Sequence, residues 1–317
     1  FIERPLFRMA WERLFFPKIL SDYKIDVLFC PGGSVSGKVP DGCKVVTTFQ
    51  NMMPFDHTQR KRYPFGYRRL RNWLLEKNLL SSMIRSDLVI FISHYARDVI
   101  ENRSNGKIKK SITVHHGVDD HFKKNTQTQL EPPQWAPKEG YLLYVSIFDI
   151  YKSQLEIVRE YAMLKSRRQD LMKLVLVGPD YENTYGQKVQ EEIKSYGLED
   201  DIIVKNGIPY TDLPAVYQNA YINIFASMTE NCPFILLEML AAGRPMLVTD
   251  KNPMTEICGD SVEYFCRTNK GQLADKLETI IDNNEALERL SQNALTCSHQ
   301  YNWENTAEKT WNSITYL

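Results

Sequence analysis

The sequence predicts an α/β protein with two doubly wound parallel sheets. Short β-rich runs alternate with helical patterns along the chain, which favours parallel strands with helices on both faces. A polar stretch from residue 125 to residue 140 carries Pro132, Pro133 and Pro137, as linkers between domains often do. The chain has 317 residues, enough for two domains. We therefore expect an N-terminal domain over 1–124, a linker over 125–140, a C-terminal domain over 141–300 and a closing helical segment over 301–317.

The N-terminal half alternates buried-strand patterns with two long helical patterns. Ser93 is a plausible N-cap for the second of these helices, which runs through Asn102. About four strand candidates stand out, fewer than a complete doubly wound half contains. We therefore expect the opening strands to lie upstream of Phe1. The strands are predicted at Asp26–Cys30, Lys44–Phe49, Asp87–Ile92 and Ser111–His115, and the first helix at Tyr67–Arg85, with Leu70, Leu74, Leu75, Leu79 and Met83 towards one side.

The C-terminal half contains about five or six strand patterns, as a complete doubly wound half does. The strands are predicted at Tyr141–Val145, Leu174–Val177, Asp201–Val204, Tyr221–Phe225 and Met246–Val248. The helices are predicted at Ser153–Lys165, Glu182–Tyr196, Asp212–Ala220, Phe234–Ala242, Gly271–Asp282, Asn284–His299 and Trp303–Leu317.

Composition narrows the class of protein. Hydrophobic residues make up 43% and charged residues 25%, as in soluble globular proteins. The formal net charge is zero, so nothing global favours nucleic acid. The cysteines show neither C-x-x-C pairs nor metal-ligand spacing, and we interpret them as reduced thiols of a cytoplasmic protein. Attachment to the inner membrane face is the alternative location.

The most informative stretch runs from Ser227 to Pro245 and contains two carboxylates. Glu230 precedes the predicted helix Phe234–Ala242, and Glu238 lies within it. The helix N-terminus offers unpaired N–H groups from about Cys232 onward, and these attract an anion such as a diphosphate. Carboxylates on both sides of a phosphate pocket suit a ligand that is anionic in the middle and rich in hydroxyls at both ends. A nucleotide sugar has that pattern.

Several motifs occur in an order and spacing that together are specific. They are Val45–Phe55, Phe91–Arg97, His115–Asp119, Leu142–Ser146 followed by Lys152, Leu174–Gly178, Gly207, and the Glu230/Glu238 pair with seven residues between its members. From about Asp26 to Trp303 the chain resembles the retaining glycosyltransferases of family four. That resemblance implies the GT-B architecture, in which two Rossmann-like domains face a cleft. It also implies that the closing helix packs back towards the N-terminal domain, and that the sequence is N-terminally incomplete.

The resemblance also implies roles for particular residues. Glu238 would bind the ribose hydroxyls, Glu230 would lie beside the donor sugar, and Lys152 would neutralise the donor phosphates. Gly207 and Ile208 resemble the loop that holds the base. Gly178 ends a strand, where such folds bind ligands. Backbone N–H groups around the helix start would hold the diphosphate or sugar hydroxyls, at Asn231, Cys232, Pro233 and Phe234. We expect no metal, because the sequence shows no metal-ligand constellation. We also expect no cofactor, and the nucleoside-diphosphate sugar would be the donor substrate.

Two positions depart from the family pattern. Ser146 and Ile147 stand where many members have a glycine and an arginine that makes a second phosphate contact. Gln50 and Asn51 stand where many members have His-Asp, the histidine contacting the donor sugar. Glutamine can donate and accept hydrogen bonds but cannot titrate. If Gln50 is the counterpart, the leaving phosphate itself would take the acceptor proton, which fits retention of configuration.

Structural interpretations stand beside these. In these interpretations Glu230 is no more than a favourable partner of the helix dipole and Lys152 is a solvated lysine. Gly178 and Gly207 are then simple turn glycines. His57 lies close in sequence to Gln50 and could face the cleft. The cationic and aromatic run Arg60–Arg71 is either a solvated face or a peripheral contact with an anionic membrane or lipid-phosphate acceptor.

The leading function is a retaining, metal-independent hexosyltransferase of polysaccharide biosynthesis. It would move a sugar from a nucleoside-diphosphate sugar to a glycan or lipid-linked acceptor. One alternative is a nucleotide-sugar epimerase or phosphorylase on the same fold. The other is a non-catalytic partner subunit that binds a sugar nucleotide.

Overall fold

The computed structural model describes residues 11–35, 37–124, 130–181 and 184–317. The chain divides into two compact units, one formed by Phe1–His115 with Glu304–Leu317 and the other by His116–Trp303. The division falls after His115 rather than after Lys124. Residues 116–124 join the second unit because Val118 bridges Asn302 and Phe122 is fully buried beside Tyr217. Of the predicted linker, residues 125–129 lie outside the described residues, and Leu130 accepts a hydrogen bond from Asn219 of the second unit.

The first unit contains a parallel sheet with four strands in its described residues, β1 (Val27–Cys30), β2 (Lys44–Phe49), β3 (Leu88–Phe91) and β4 (Ser111–Thr113), in that spatial order. Its helices are α1 (Phe16–Asp22), α2 (His57–Arg62), α3 (Tyr67–Arg85) and α4 (His94–Ser104). Asp56 caps α2 by accepting from the N–H of Gln59 at 3.0 Å. Ser93 caps α4 as the sequence predicts, accepting from the N–H of Ala96 at 3.1 Å.

Helix α3 faces the core differently from the prediction. The residues that it buries are Asn72, Glu76, Leu79, Ser82 and Met83. Leu70 and Leu74, which the sequence grouped on one side with Leu79 and Met83, are 57% and 53% exposed. Helical spacing is the cause, because at about 3.6 residues per turn Leu70 and Leu74 lie on the side opposite Leu79 and Met83. The inward Glu76 carboxylate meets His57 at 3.1 Å and Arg60 at 2.9 Å.

The second unit contains a parallel sheet with six strands in the described residues, in the order β10-β9-β8-β5-β6-β7. They are β5 (Leu142–Val145), β6 (Leu174–Val177), β7 (Ile202–Lys205), β8 (Ile222–Phe225), β9 (Met246–Thr249) and β10 (Glu263–Phe265). The first five match the predicted strands to within a residue or two. The two parallel sheets confirm the predicted α/β fold class.

Within its described residues, the second unit has five α-helices between its strands and two after β10. They are α5 (Gln154–Arg167), α6 (Thr184–Ser195), α7 (Leu213–Gln218), α8 (Phe234–Ala241), α9 (Met254–Cys258), α10 (Gln272–Ile280) and α11 (Asn284–Ser298). Glu182, predicted to begin α6, lies outside the described residues. Of the helices that the structure describes, none combines the length and apolarity required to cross a bilayer.

The closing helix α12 (Trp303–Thr315) leads the chain back into the first unit. Ile314 and Leu317 pack against a buried cluster of the first sheet, formed by Val46, Leu88, Ile90 and Val114. Thr306 donates to the carbonyl of His115 at 2.8 Å, which fixes the helix beside the end of β4.

Candidate active site

The second sheet reverses its direction of growth beside β5. The chain adds β6 and β7 on one side of β5 and then crosses to place β8 on the other side. In open parallel sheets, ligands bind outside the carboxyl ends of the strands at such a switch point. The segments that follow β5, β8, β6 and β7 at this edge contain Lys152, Glu230, Gly178 and Gly207, respectively.

Lys152 and Glu230 form an ion pair across this switch point. They are 78 residues apart in sequence, yet the Lys152 Nζ donates to Glu230 Oε1. The two side chains are only 7% and 13% exposed. The ammonium also lies 4.9 Å from the ring centroid of Tyr151, and the Lys152 carbonyl accepts from the buried Tyr144 hydroxyl at 2.6 Å. A buried pair of this kind is costly to break by removing one partner, because the other charge then stays in a nearly dry site.

The residue after Lys152 has a strained backbone. Ser153 has φ 66° and ψ 30°, the left-handed region, and is fully buried. It joins the 3-10 turn Ile150–Lys152 to α5. Non-glycine residues in this region cluster at functional sites, where the surroundings hold them in place.

Helix α8 begins at the same edge without a side-chain cap. Pro233 has no N–H to offer a ligand, which corrects its expected role as a backbone donor. Its carbonyl instead accepts from the N–H groups of Leu236 at 3.1 Å and Leu237 at 3.3 Å. For the N–H groups of Phe234 and Ile235, the described part of the chain supplies no acceptor. These two amides can hold an anion at the positive end of the helix dipole.

The residues around this helix start differ in what they can contribute. Asn231 and Cys232 are buried. Burial raises the pKa of the Cys232 thiol to about 12, so the thiol stays protonated at neutral pH. The Phe234 ring is 47% exposed and stacks on His116, with ring centroids 4.6 Å apart.

Glu238 lies about one turn inside α8 and is held by two tyrosines. Its Oε1 accepts from the Tyr210 hydroxyl at 3.1 Å and its Oε2 from the Tyr217 hydroxyl at 3.0 Å. Burial raises the pKa of Glu238, and the two hydroxyls oppose that rise by stabilising the carboxylate. Each carboxylate oxygen has a further lone pair that can accept from a ligand hydroxyl.

The two predicted glycines play different physical parts. A Cβ atom on Gly178 would lie 2.0 Å from the carbonyl oxygen of Ser146, so only glycine lets the ends of β5 and β6 approach this closely. Gly207 has φ 88° but open space around it, so its requirement is conformational. Ile208, next to it, is half-buried.

Gln50 belongs to the first unit, directly after β2. Its Nε2 donates to the carbonyl of Pro31 at 3.1 Å, and the neighbouring Asn51 accepts from the N–H of Met53 at 3.1 Å. His57, considered as a cleft residue, pairs with the buried Glu76. The structure thus joins Lys152 to Glu230, places the α8 residues and glycines at the same sheet edge, and puts Gln50 in the other unit.

Sequence reasoning missed the tyrosines that position these charges. Tyr210 and Tyr217 fix Glu238, and Tyr144 fixes the backbone of Lys152. Tyr210 follows Gly207-Ile208-Pro209, so its place beside a suspected base-binding loop was a usable signal. The sequence gives no such signal for Tyr217 and Tyr144, because a buried tyrosine fits the same hydrophobic pattern as any other aromatic residue of the core.

The sequence profile described as "Glycosyl transferases group 1" matches residues 125–296. The chain belongs to this family. The match spans the glycosyltransferase's second unit from the candidate linker to the last turns of α11.

Named relatives of this glycosyltransferase extend the comparison. It is 20% identical to O-antigen chain mannosyltransferase B of Escherichia coli over 313 residues, which is 98% of this chain and 77% of that protein. It is 22% identical to D-inositol 3-phosphate glycosyltransferase of Paenarthrobacter aurescens (strain TC1) over 180 residues, 56% of this chain and 44% of that protein.

Solved structures share its fold at low identity. Anabaena HepE in complex with UDP superposes with a TM-score of 0.73 at 14% identity, covering 95% of this chain and 81% of that one. Sucrose-phosphate synthase from Thermosynechococcus elongatus gives 0.72 at 16% identity, covering 94% and 75%. The fold of this glycosyltransferase is therefore that of GT-B enzymes.

Proposed function

We propose that this glycosyltransferase moves a hexose from a nucleoside-diphosphate sugar to a hydroxyl of a polysaccharide or lipid-linked glycan, with retention of configuration. The observation that carries the proposal is the Lys152–Glu230 ion pair at the switch point of the second sheet, beside the uncapped start of α8. A cation, two available amides and a carboxylate match the diphosphate and hydroxyls of such a donor.

Donor binding would exchange the partner of Lys152. The ammonium turns from Glu230 to the donor diphosphate, and the amides of Phe234 and Ile235 hold the same anion. Glu230, released from the ion pair, accepts from hydroxyls of the sugar. Glu238 accepts from the ribose hydroxyls, and the loop at Gly207 and Ile208 holds the base. Asn231 and Cys232 contribute only backbone groups. Gly178 has no side chain, so it lets the ends of β5 and β6 lie close together beside the donor.

Chemistry then needs little beyond positioning and charge. The bond between the anomeric carbon and the phosphate oxygen breaks, and the diphosphate leaves with its electron pair. The acceptor hydroxyl attacks from the same face and passes its proton to the departing phosphate oxygen. Lys152 and the helix amides stabilise the charge that develops on the diphosphate. On this proposal the positive charge comes from Lys152, and turnover needs no metal or cofactor.

Gln50 is proposed to contact the donor sugar through its amide. A Gln50→Ala enzyme should lose turnover while keeping its affinity for the nucleoside diphosphate, because the amide would touch only the sugar. Unchanged turnover would remove Gln50 from the site.

The relatives suggest which donor and acceptor to test first. The name of the Escherichia coli relative supports mannose as the sugar and a growing cell-surface polysaccharide as the acceptor. The neighbour solved with UDP supports including uridine among the bases. Acceptors of this kind occur at membranes, so the proposal includes a cytoplasmic enzyme with a peripheral contact through Arg60–Arg71.

Slow breakdown of the donor provides the test. The protein is incubated with mannose and glucose donors of uridine, guanosine and adenosine diphosphate, with a chelator present and without acceptor. We expect one of the donors to release its nucleoside diphosphate. The variant Lys152→Met should lose this activity. The freed sugar should keep the α or β configuration that it had in the donor. Binding without release would indicate a non-catalytic subunit, and inversion would contradict the proposed mechanism.

A further inference from the structure

At the start of helix α3, polar side chains face the protein and apolar side chains face the solvent. Its inward face carries Asn72 and the charged Glu76, whereas its outward face carries Leu70, Trp73 and Leu74. These three have the i, i+3, i+4 spacing of one helical stripe. A soluble helix has the opposite arrangement, with the apolar stripe towards the core.

The loop before the helix extends this apolar surface. The Phe65 side chain is 93% exposed and that of Tyr67 is 79% exposed. Between loop and helix runs a groove of about 460 Å³, lined by Arg60, Lys61, Phe65, Gly66, Arg69, Leu70 and Trp73. Large apolar side chains gathered in one exposed place mark an interaction surface rather than ordinary surface scatter.

The charged residues that line the groove, Arg60, Lys61 and Arg69, are all cationic. From residue 57 to residue 75 the sequence has six arginines and lysines and no aspartate or glutamate. Arg60 is neutralised by Glu76 at 2.9 Å. Lys61 and Arg71 are exposed, and in the described part of the chain neither forms an ion pair. Arg69 donates to the Lys61 carbonyl, which keeps its guanidinium at the rim of the groove.

We propose that this surface, formed by residues 60–74, docks on an anionic lipid bilayer. Phe65, Leu70 and Trp73 enter the boundary between head groups and acyl chains, and Lys61, Arg69 and Arg71 contact the lipid phosphates. A second copy of the chain would have to bring its own cations against these. Charge complementarity therefore favours an anionic partner, and the apolar stripe favours one with a hydrocarbon interior. The proposal deepens the proposed function by giving it a membrane-bound acceptor, but its test needs no donor.

Vesicle sedimentation tests the surface. The intact protein is mixed with vesicles of phosphatidylcholine alone, and of phosphatidylcholine with phosphatidylglycerol. We expect binding only to the second kind, weakened by added salt. Phe65→Ser with Trp73→Ser should reduce partitioning at least about tenfold through the lost apolar contact. Lys61→Glu with Arg71→Glu should do the same, because each cation near an anionic surface strengthens partitioning about fivefold.

The matched control changes an exposed lysine and an exposed aromatic on helix α6 and just after it, Lys194→Glu with Tyr196→Ser, and should bind as the unaltered protein does. Equal binding by all variants, or equal binding to both kinds of vesicle, overturns the proposal. Sedimentation without lipid identifies the rival occupant: a dimer that Phe65→Ser with Trp73→Ser dissociates would assign the surface to self-association. The same variants should bind nucleoside diphosphate as the unaltered protein does. A protein that binds nucleotide but no vesicles would contradict the membrane proposal alone, and one that binds vesicles but no nucleotide would contradict the proposed function alone.

Discussion

At the scale of single residues, Lys152 and Glu230 depend on each other, because each neutralises a charge that the sheet edge has largely removed from water. Glu230→Gln would leave the ammonium buried without its partner, at a cost of about 3 kcal/mol or more. A nucleoside diphosphate would then replace the missing charge. We expect a lower melting temperature than in the unaltered protein but a larger upward shift on adding the nucleotide, measured by thermal unfolding.

The control for this prediction is Asp201→Asn, which weakens the 2.8 Å ion pair between Asp201 and Lys165 in the same unit. It should leave the nucleotide-induced shift as it is. A smaller shift in Glu230→Gln than in the unaltered protein would show that Glu230 does not compete with the nucleotide for Lys152.

The tyrosines around Glu238 set the pH range in which it is charged. Burial raises the pKa of this carboxyl, so between its unfolded and folded pKa values the native state holds more protons and the free energy of unfolding falls as pH rises. Tyr217→Phe removes a hydrogen bond that favours the carboxylate and raises this pKa further. On our proposal, nucleotide binding needs the charged carboxylate. As pH falls, the affinity for nucleotide should therefore begin to weaken at a higher pH in Tyr217→Phe than in the unaltered protein.

Titration calorimetry from about pH 5 to about pH 8 measures this shift in the binding profile. Tyr161→Phe is the matched control, since Tyr161 is equally buried but donates to the carbonyl of Met172. An unchanged profile in Tyr217→Phe would mean that the Glu238 carboxylate does not govern nucleotide binding.

Among secondary-structure elements, the ends of β5 and β6 are the most closely packed part of the candidate site. Gly178→Ala would force a Cβ atom to 2.0 Å from the Ser146 carbonyl and so push the two strand ends apart. We expect a loss of about 3 kcal/mol in the free energy of unfolding, together with loss of nucleotide binding. Gly207→Ala meets open space and should cost only about 1 kcal/mol, from its positive φ. Urea unfolding of both variants checks the ranking, and equal costs would contradict it.

The elements also show how far sequence reasoning reaches. Strands β5, β6, β8 and β9 were predictable because each is a short, mostly apolar run whose four residues are all buried. Strand β7 lies at a sheet edge and buries only Ile202, but its run Ile202–Val204 is still apolar. Strand β10 was missed because Glu263–Phe265 is three residues long and lies at the sheet edge, where little apolar pattern is required. The grouping of five apolar residues on one side of α3 was wrong, because at about 3.6 residues per turn Leu70 and Leu74 lie opposite Leu79 and Met83. The meeting of Lys152 with Glu230 depends on strand order, which no local pattern contains.

At the scale of the whole chain, the first unit depends on the closing helix α12, which follows the second unit in the sequence. Ile314 and Leu317 complete a core cluster of strands near the other end of the sequence. Ile314→Ser should cost about 1–2 kcal/mol through lost apolar burial. We expect amide hydrogen exchange to accelerate in β2, β3 and β4 of the first unit, while the strands of the second unit keep their rates.

Hydrogen exchange read by mass spectrometry gives this result segment by segment. Trp311→Ser provides the control on the same helix, because the Trp311 side chain is 69% exposed. Nucleotide added to Ile314→Ser should slow exchange only in the second unit, around α8, and should not restore the first. If Ile314→Ser instead accelerated exchange in β5 to β9, α12 would stabilise the second unit, and the division of the chain at Trp303 would be contradicted.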